Sequence, residues 1–193
     1  MDEIELISRS KRGDLDSFNR LVEIYQGQVY SLAMRMLASP ETAQDVAQEA
    51  FISAFRAMKS FKGGSFRAWL LRITTNACYD YLRSYKRHKA SSLDDMLEQP
   101  DSLPQSKAES PEEHSVRMEL GREINQGLAT LPPDQRVVII LSDIQGLSYD
   151  EIAEATSSSL GTVKSRLSRA RGHLRDYLLE HGELLPGKFR QYK

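Results

Sequence analysis

Residues 147–174, LSYDEIAEATSSSLGTVKSRLSRARGHL, read as two helices meeting at a tight turn, the second studded with arginine and lysine. Ser148 followed three residues later by Glu151 is the pattern of a capping box, so a helix starts there. Tyr149, Ile152, Ala153 and Thr156 then form one short apolar face, too narrow to be stable uncovered. After Ser157-Ser158-Ser159 a second helix begins near Leu160, with Val163, Leu167, Ala170, Leu174 and Leu178 at inward spacing. Its opposite side carries Thr162, Ser165, Arg166, Ser168, Arg169 and Gly172, with Lys164 and Arg171 on the flanks. A helix about 10–12 Å across with small and cationic outward residues fits a DNA major groove, where arginine can read guanine bidentately. A helical hairpin with a merely solvated basic face has the same spacing, so the rest of the chain has to decide.

Two helices precede this pair and give it cover. Val116, Leu120, Ile124 and Leu128 form one stripe; Leu131-Pro132-Pro133-Asp134 stops that helix and starts the next. Val137, Val138, Ile140, Leu141 and Ile144 make the core side of the second, which ends at Gly146. Upstream lies ASSLDDMLEQPDSLPQSKAESP, residues 90–111, whose Ser, Pro, Asp and Glu predict a flexible acidic linker. The expected architecture is all-α: a helical domain over 1–89, the linker 90–111, a helix-turn-helix domain over 112–180, and a frayed basic tail at 181–193.

In the first domain, Glu3–Arg12 is a short helix. Asp14 or Asp16 caps a long core helix carrying Phe18, Leu21, Val22, Tyr25, Val29, Leu32, Ala33 and Met36. Ser39-Pro40 opens a helix over 40–58 that buries Ala43, Val46, Ala47, Ala50, Phe51, Ala54 and Met58 and turns Gln44, Asp45, Gln48, Glu49 and Arg56 outward. Two glycines in residues 60–65, SFKGGS, mark a connector. From Phe66 to about Arg87 runs a helix with two apolar faces, Phe66, Leu70, Ile73, Ala77 and Tyr81 on one and Leu71, Cys78 and Leu82 on the other, which predicts cover on two sides. Between them lies a stripe of Arg72, Thr75, Asn76, Tyr79, Asp80, Arg83, Lys86 and Arg87, edged by Trp69. Amides, a ring and several cations on one stripe suit an unstacked nucleic-acid strand.

Charge is balanced overall, 26 basic against 27 acidic, and informative only by segment. Residues 61–90 hold seven basic and one acidic side chain and 161–193 hold eight and three, whereas 91–130 hold three and nine and 131–160 one and five. Two segments suited to a polyanion are thus separated by one that avoids or imitates it. The single cysteine, Cys78, excludes an intrachain disulfide and a cysteine metal cluster. The start MDEIELISRSKRGD has no signal-peptide character and no run of about 18 apolar residues occurs, which predicts a cytoplasmic protein with no membrane insertion. Phosphate loops of Walker or Rossmann spacing and a Gly-x-Ser-x-Gly elbow are missing, so neither catalysis nor a cofactor is expected.

Together, AQDVAQEAFISAFR (43–56) with FRAWLLRITTNACYDYLRSYKR (66–87), and LATLPPDQRVVIILSDIQGLSYDEIAEA (128–155) with GTVKSRLSRARGHLR (161–175), resemble regions 2 and 4 of bacterial RNA polymerase sigma factors of the compact extracytoplasmic-function group. The resemblance covers nearly the whole chain. It implies a promoter-specificity subunit whose partners are core polymerase (the beta-prime clamp helices and the beta flap), promoter DNA and an anti-sigma protein. It implies that Asp45, Gln48, Glu49 and Arg56 dock on the clamp helices. It places Phe61, Lys62, Gly63 and Ser65, with Arg72, Asn76, Tyr79, Asp80, Arg83, Lys86 and Arg87, on the minus-ten element, capturing the non-template strand by base flipping. It places Thr162, Lys164, Ser165, Arg166, Arg169 and Arg171 on the minus-35 element.

Two departures stand out. Relatives usually carry a glycine and a bulky apolar residue in the turn where this chain has Thr156-Ser157-Ser158-Ser159, which predicts a wider turn. Asp80 is an acid on a face meant for a polyanion; it either pairs with Arg83 or Lys86 or accepts from a cytosine amino group. A reading from another class is a free-standing regulator, with the helix-turn-helix as reader and the first half as dimerisation or sensor module. A nucleic-acid enzyme would need paired carboxylates near the basic stripe, where only Asp80 stands.

Overall fold

The computed structural model describes residues 2–91 and 111–181, with side chains over 2–88 and 120–181. The described residues are helical, with no strand among them. The helices are α1 (Glu3–Lys11), α2 (Leu15–Leu37), α3 (Pro40–Ala57), α4 (Phe66–Ser91), α5 (Pro111–Thr130), α6 (Pro133–Ile139), α7 (Tyr149–Ala155) and α8 (Leu160–His181). Of the expected linker 90–111 and basic tail 181–193, residues 92–110 and 182–193 lie outside the described residues, while 90, 91, 111 and 181 are helical, because α4 and α5 run on into the expected linker and α8 into the expected tail.

Local chemistry fixes most boundaries. Asp14 rather than Asp16 caps α2, accepting from the amides of Asp16 and Ser17 at 3.1 and 3.3 Å. These bonds and the Ser17 hydroxyl hold its carboxyl below the usual range. Ser39 caps α3 with Pro40 at its first position. Ser148 and Glu151 close the capping box of α7 in both directions. α2 ends at Ala38, whose φ of 55° turns the chain toward α3.

Small side chains set how closely the first helices pack. Ala43, Ala50 and Ala54 are fully buried and Ala47 nearly so, giving α3 a smooth face against α2 and α4. Leu6, Phe18, Leu21, Tyr25, Val29, Met58, Phe61, Phe66 and Leu70 fill the core so formed. The second cluster crosses between the two halves of the molecule: Ala33, Met36, Leu71 and Cys78 of the first half pack in it with Leu131, Val138, Leu141, Ile152, Val163 and Leu167 of the second. The second apolar face of α4 is therefore covered by the helix-turn-helix half, α4 lying chiefly against α7. Each fully buried Leu or Met here contributes about 1.5–3 kcal/mol.

Two expectations need correction. Ile144, expected in the core, is 40% exposed, and Gln145 is buried instead. The cause is a π-turn at Ile140–Ile144, where the Gln145 amide donates to Ile140 O across five residues at 2.9 Å, shifting the helical phase by one residue. The serine turn is not loosened. Ser157 takes a left-handed φ of 49°, supplying the conformation a glycine would. Around it the Ser158 amide donates to Ala153 O at 2.9 Å, and Ser159 caps α8 by accepting from the Thr162 amide at 3.1 Å.

Because Ser157 holds an L side chain in the left-handed region, Ser157→Gly should raise stability by about 0.5–1 kcal/mol, the strain removed exceeding the chain entropy gained by the unfolded state. Thermal melts followed by circular dichroism would show Tm higher by about 1–4 °C. A lower Tm would mean that the turn is not strained.

Candidate nucleic-acid interface

Three surfaces gather the residues singled out by sequence. On α3, Asp45, Gln48, Glu49 and Arg56 are all exposed. Gln48 and Arg56 rim an open groove between α2 and α3. Its walls are Phe18 and Val22 on one side and Phe51, Ile52 and Phe55 on the other. Phe51, expected in the core, is only half-buried: it packs against the core and also forms part of this wall. The signal for an apolar wall was Ile52, an isoleucine on the outward side of the helix.

The second surface is the loop before α4 and the outer side of that helix. Phe61 departs from expectation: its ring is buried and packs edge-on to Phe66 at 5.6 Å and against Trp69 at 5.2 Å. It is the floor beneath the loop. Lys11 reaches over from α1, its ammonium 5.8 Å from the ring centroid and donating to Phe61 O at 2.6 Å. Above this floor Lys62, Gly63, Gly64 and Ser65 are exposed. Gly63 and Gly64 have φ of 102° and 86°, and Ser65 caps α4 by accepting from the Ala68 amide at 3.1 Å. Along α4, Asn76, Asp80, Arg83, Lys86 and Arg87 face outward, and Asp80 is paired with Arg83. Thr75 does not belong to this stripe: it is fully buried, on the side that carries Leu71, Cys78 and Leu82.

Arg72 and Tyr79 face the other half of the molecule. Arg72 forms an ion pair with Glu154 of α7 at 3.4 Å. Tyr79 is half-buried against the shared core, and burial, with the field of Asp134, pushes its phenol up to about 12. Burial also pushes the Cys78 thiol up to about 12.

The third surface is α8. Lys164, Ser165, Ser168 and Arg169 are exposed along one side, with Thr162 half-buried at its start. Arg166 and Arg171 are held back by carboxylates. Arg166 bonds to Asp134 at 2.9 Å and to the Ser158 hydroxyl at 2.9 Å. Arg171 grips Asp143 with two nitrogens at 3.0 and 2.6 Å, which lowers the carboxyl pKa and raises that of the guanidinium. Both pairs tie α8 to its own scaffold, so they orient the helix that presents Arg169.

Similarity to known proteins agrees with this layout. Residues 21–88 match the model of Sigma-70 region 2, and residues 121–174 match that of Sigma-70, region 4. The ECF RNA polymerase sigma-E factor of Escherichia coli is 39% identical over 170 residues, covering 86% of this chain and 88% of that protein. The ECF RNA polymerase sigma factor SigE of Mycolicibacterium smegmatis is 37% identical over 169 residues; there the match covers 86% of this chain and 63% of the relative's length. Among solved structures, the sigma factor RpoE of Bartonella quintana, in complex with the anti-sigma factor NepR, superposes with a TM-score of 0.71 at 26% identity, covering 85% of this chain and 98% of that one. The chain belongs to the sigma-70 family, in the extracytoplasmic-function group of RNA polymerase sigma factors. It is a subunit that binds RNA polymerase and directs it to promoters.

Burial of Cys78 has a pH consequence. Above about pH 9 the unfolded chain ionises this thiol while the folded chain keeps it protonated up to about pH 12, so its contribution to stability, complete below pH 9, is lost as pH rises across that window. Urea midpoints measured from pH 8 to 11 should fall less steeply for Cys78→Ala than for the wild type. Parallel curves would show that the thiol is not held protonated.

Proposed function

We propose that the three surfaces divide the work of promoter-directed initiation. The α2–α3 groove, rimmed by Gln48 and Arg56, together with the exposed Asp45 and Glu49 of α3, receives the clamp helices of the polymerase beta-prime subunit. Its exposed apolar wall beside carboxylates supports this reading, since such a groove suits an amphipathic partner helix with basic flanks. The exposed loop Lys62–Ser65, held open by its glycines over the Phe61 floor, takes a base flipped from the non-template strand of the minus-ten element. Asn76, Arg83, Lys86 and Arg87 hold the phosphates of the displaced strand, joined by Arg72 and Tyr79 once region 4 moves away. Asp80, paired with Arg83, orients that guanidinium.

On α8, Thr162, Lys164, Ser165 and Arg169 read or clamp the minus-35 element, with Arg166 and Arg171 fixing the helix. The chain contributes binding and base capture and no bond-making chemistry, and it works in the cytoplasm; no described helix is long and apolar enough to cross a membrane. An anti-sigma protein is a further partner, supported by the complex in which the Bartonella relative was solved. The free-standing regulator is not favoured, because both sigma regions occur in order.

Run-off transcription from genomic promoter fragments, with purified bacterial core polymerase and with or without this protein, tests the reading: specific transcripts should depend on it. Asp45→Lys with Glu49→Lys should weaken core binding by about tenfold or more while the circular-dichroism spectrum stays unchanged. Undiminished co-elution with core would remove these residues from the docking surface.

On α8, Arg169→Ala should cost about 1–3 kcal/mol of promoter affinity if it reads a base, with discrimination relaxed at one position. Arg171→Ala should act mainly on the stability of region 4, by about 1 kcal/mol or less, because its partner is an exposed carboxylate. Equal affinity losses for the two variants on matched and mismatched minus-35 duplexes would overturn this division.

A further inference from the structure

The loop Lys62–Ser65 is free to move at Gly63 and Gly64, which have positive φ and stand in open space. A loop of this kind captures a base efficiently only if its two ends are fixed, because every free torsion adds conformations that miss the base. The far end is fixed locally: Ser65 accepts from the Ala68 amide with its hydroxyl and from the Trp69 amide with its carbonyl, both at 3.1 Å. The near end, Phe61, is fixed by a residue fifty positions away.

That residue is Lys11, the last of α1. Its ammonium donates to Phe61 O at 2.6 Å and stands 5.8 Å from the centroid of the Phe61 ring. The carbonyl closes the 3-10 turn Met58–Ser60, at a place where the turn offers it no amide. One charged group thus holds both the backbone and the ring of Phe61. The ring in turn lies against Phe66 and Trp69.

Docking of α1 does not depend on Lys11. Leu6 and Ser10 are buried, and at the other end of the helix Glu3 accepts from the Tyr25 hydroxyl at 2.8 Å. Tyr25 packs on Phe66 at 5.6 Å, so both ends of α1 grip the same aromatic floor. Lys11 also lies outside residues 21–88, which match region 2, so the family match gives it no role.

We propose that Lys11 is a positioning residue for base capture: from α1 it pins Phe61 and so sets the direction in which the glycine loop opens toward the flipped base. It does not touch the base itself. The proposal rests on the reading of Lys62–Ser65 as the capture loop and names what holds that loop in place.

Lys11→Met keeps the stem and removes the donor and the charge; Lys11→Arg restores both. Holoenzymes made with each are titrated onto a promoter obtained by run-off transcription and pre-opened by mismatches over the minus-ten element. Copies carrying an abasic site at each non-template position in turn are titrated alongside. For the wild type, one abasic position should weaken binding by about tenfold. With Lys11→Met the intact template should bind about three- to tenfold more weakly, the abasic penalty at that position should shrink by the same factor, and Lys11→Arg should recover most of both. Co-elution with core should be equal for all three proteins. A residue that only steadied the fold would weaken intact and abasic templates alike and lower the melting temperature. That outcome overturns the proposal, as does equal binding by the three proteins. A wild type with no sensitive position would remove base capture itself, and the proposal with it.

Discussion

The structure turns on α4, a helix with two apolar faces that a single small bundle cannot cover. Its first face closes the core made by α1, α2 and α3; its second, bearing Leu71, Cys78 and Leu82, would lie in water if region 2 stood alone. Burying that face chiefly against α7, with α2 packed on α5, α6 and the π-turn, holds the two halves together, and the same burial brings Arg72 and Tyr79 under region 4. The polar stripe of α4 lies between these two covered faces, with Asn76, Asp80, Arg83, Lys86 and Arg87 left exposed.

The charges tie the segments together. The acidic stretch 131–160 is interleaved with the basic surfaces: three of its carboxylates, Asp134, Asp143 and Glu154, hold Arg166, Arg171 and Arg72. Exposed pairs of this kind contribute little stability each. The apolar cluster supplies the adhesion.

Much of this was legible in the sequence, for identifiable reasons. The caps at Asp14, Ser39 and Ser148 are local, so their residues speak for themselves, and the two-sided cover of α4 followed from helical spacing alone. What escaped depends on backbone geometry or on distant partners. The π-turn at 140–144 has no strong residue signature, so the phase shift that expels Ile144 and buries Gln145 could not be read, nor could the hydrogen bonds Gln145 makes to Gln28 and Arg67. Phe61 was placed in a strand-capture loop by the resemblance, the residues themselves reading only as a connector; the fold shows its ring buried against Phe66 and Trp69. Ser157 read as a departure from a glycine turn, yet one residue in the left-handed region keeps the turn closed. The site residues on α3 came from the family resemblance and not from their own spacing; Phe51 has the spacing of a core residue and packs against the core, but its half-buried ring also lines the groove.

Polar contacts across an apolar interface, here Gln145 with Gln28 and Arg67, add what apolar contact alone lacks. Apolar contact is non-directional, and a cluster of Leu, Val and Ile would tolerate sliding of one region on the other. Gln145 is buried only in one register, because its donor and acceptors must meet Gln28 and Arg67 together; any other register strands an amide out of water at a cost of about 1–3 kcal/mol. The hydrogen bonds of Gln145 to Gln28 and Arg67 therefore fix the register in which the two halves meet, a specificity that the apolar cluster beneath them cannot supply.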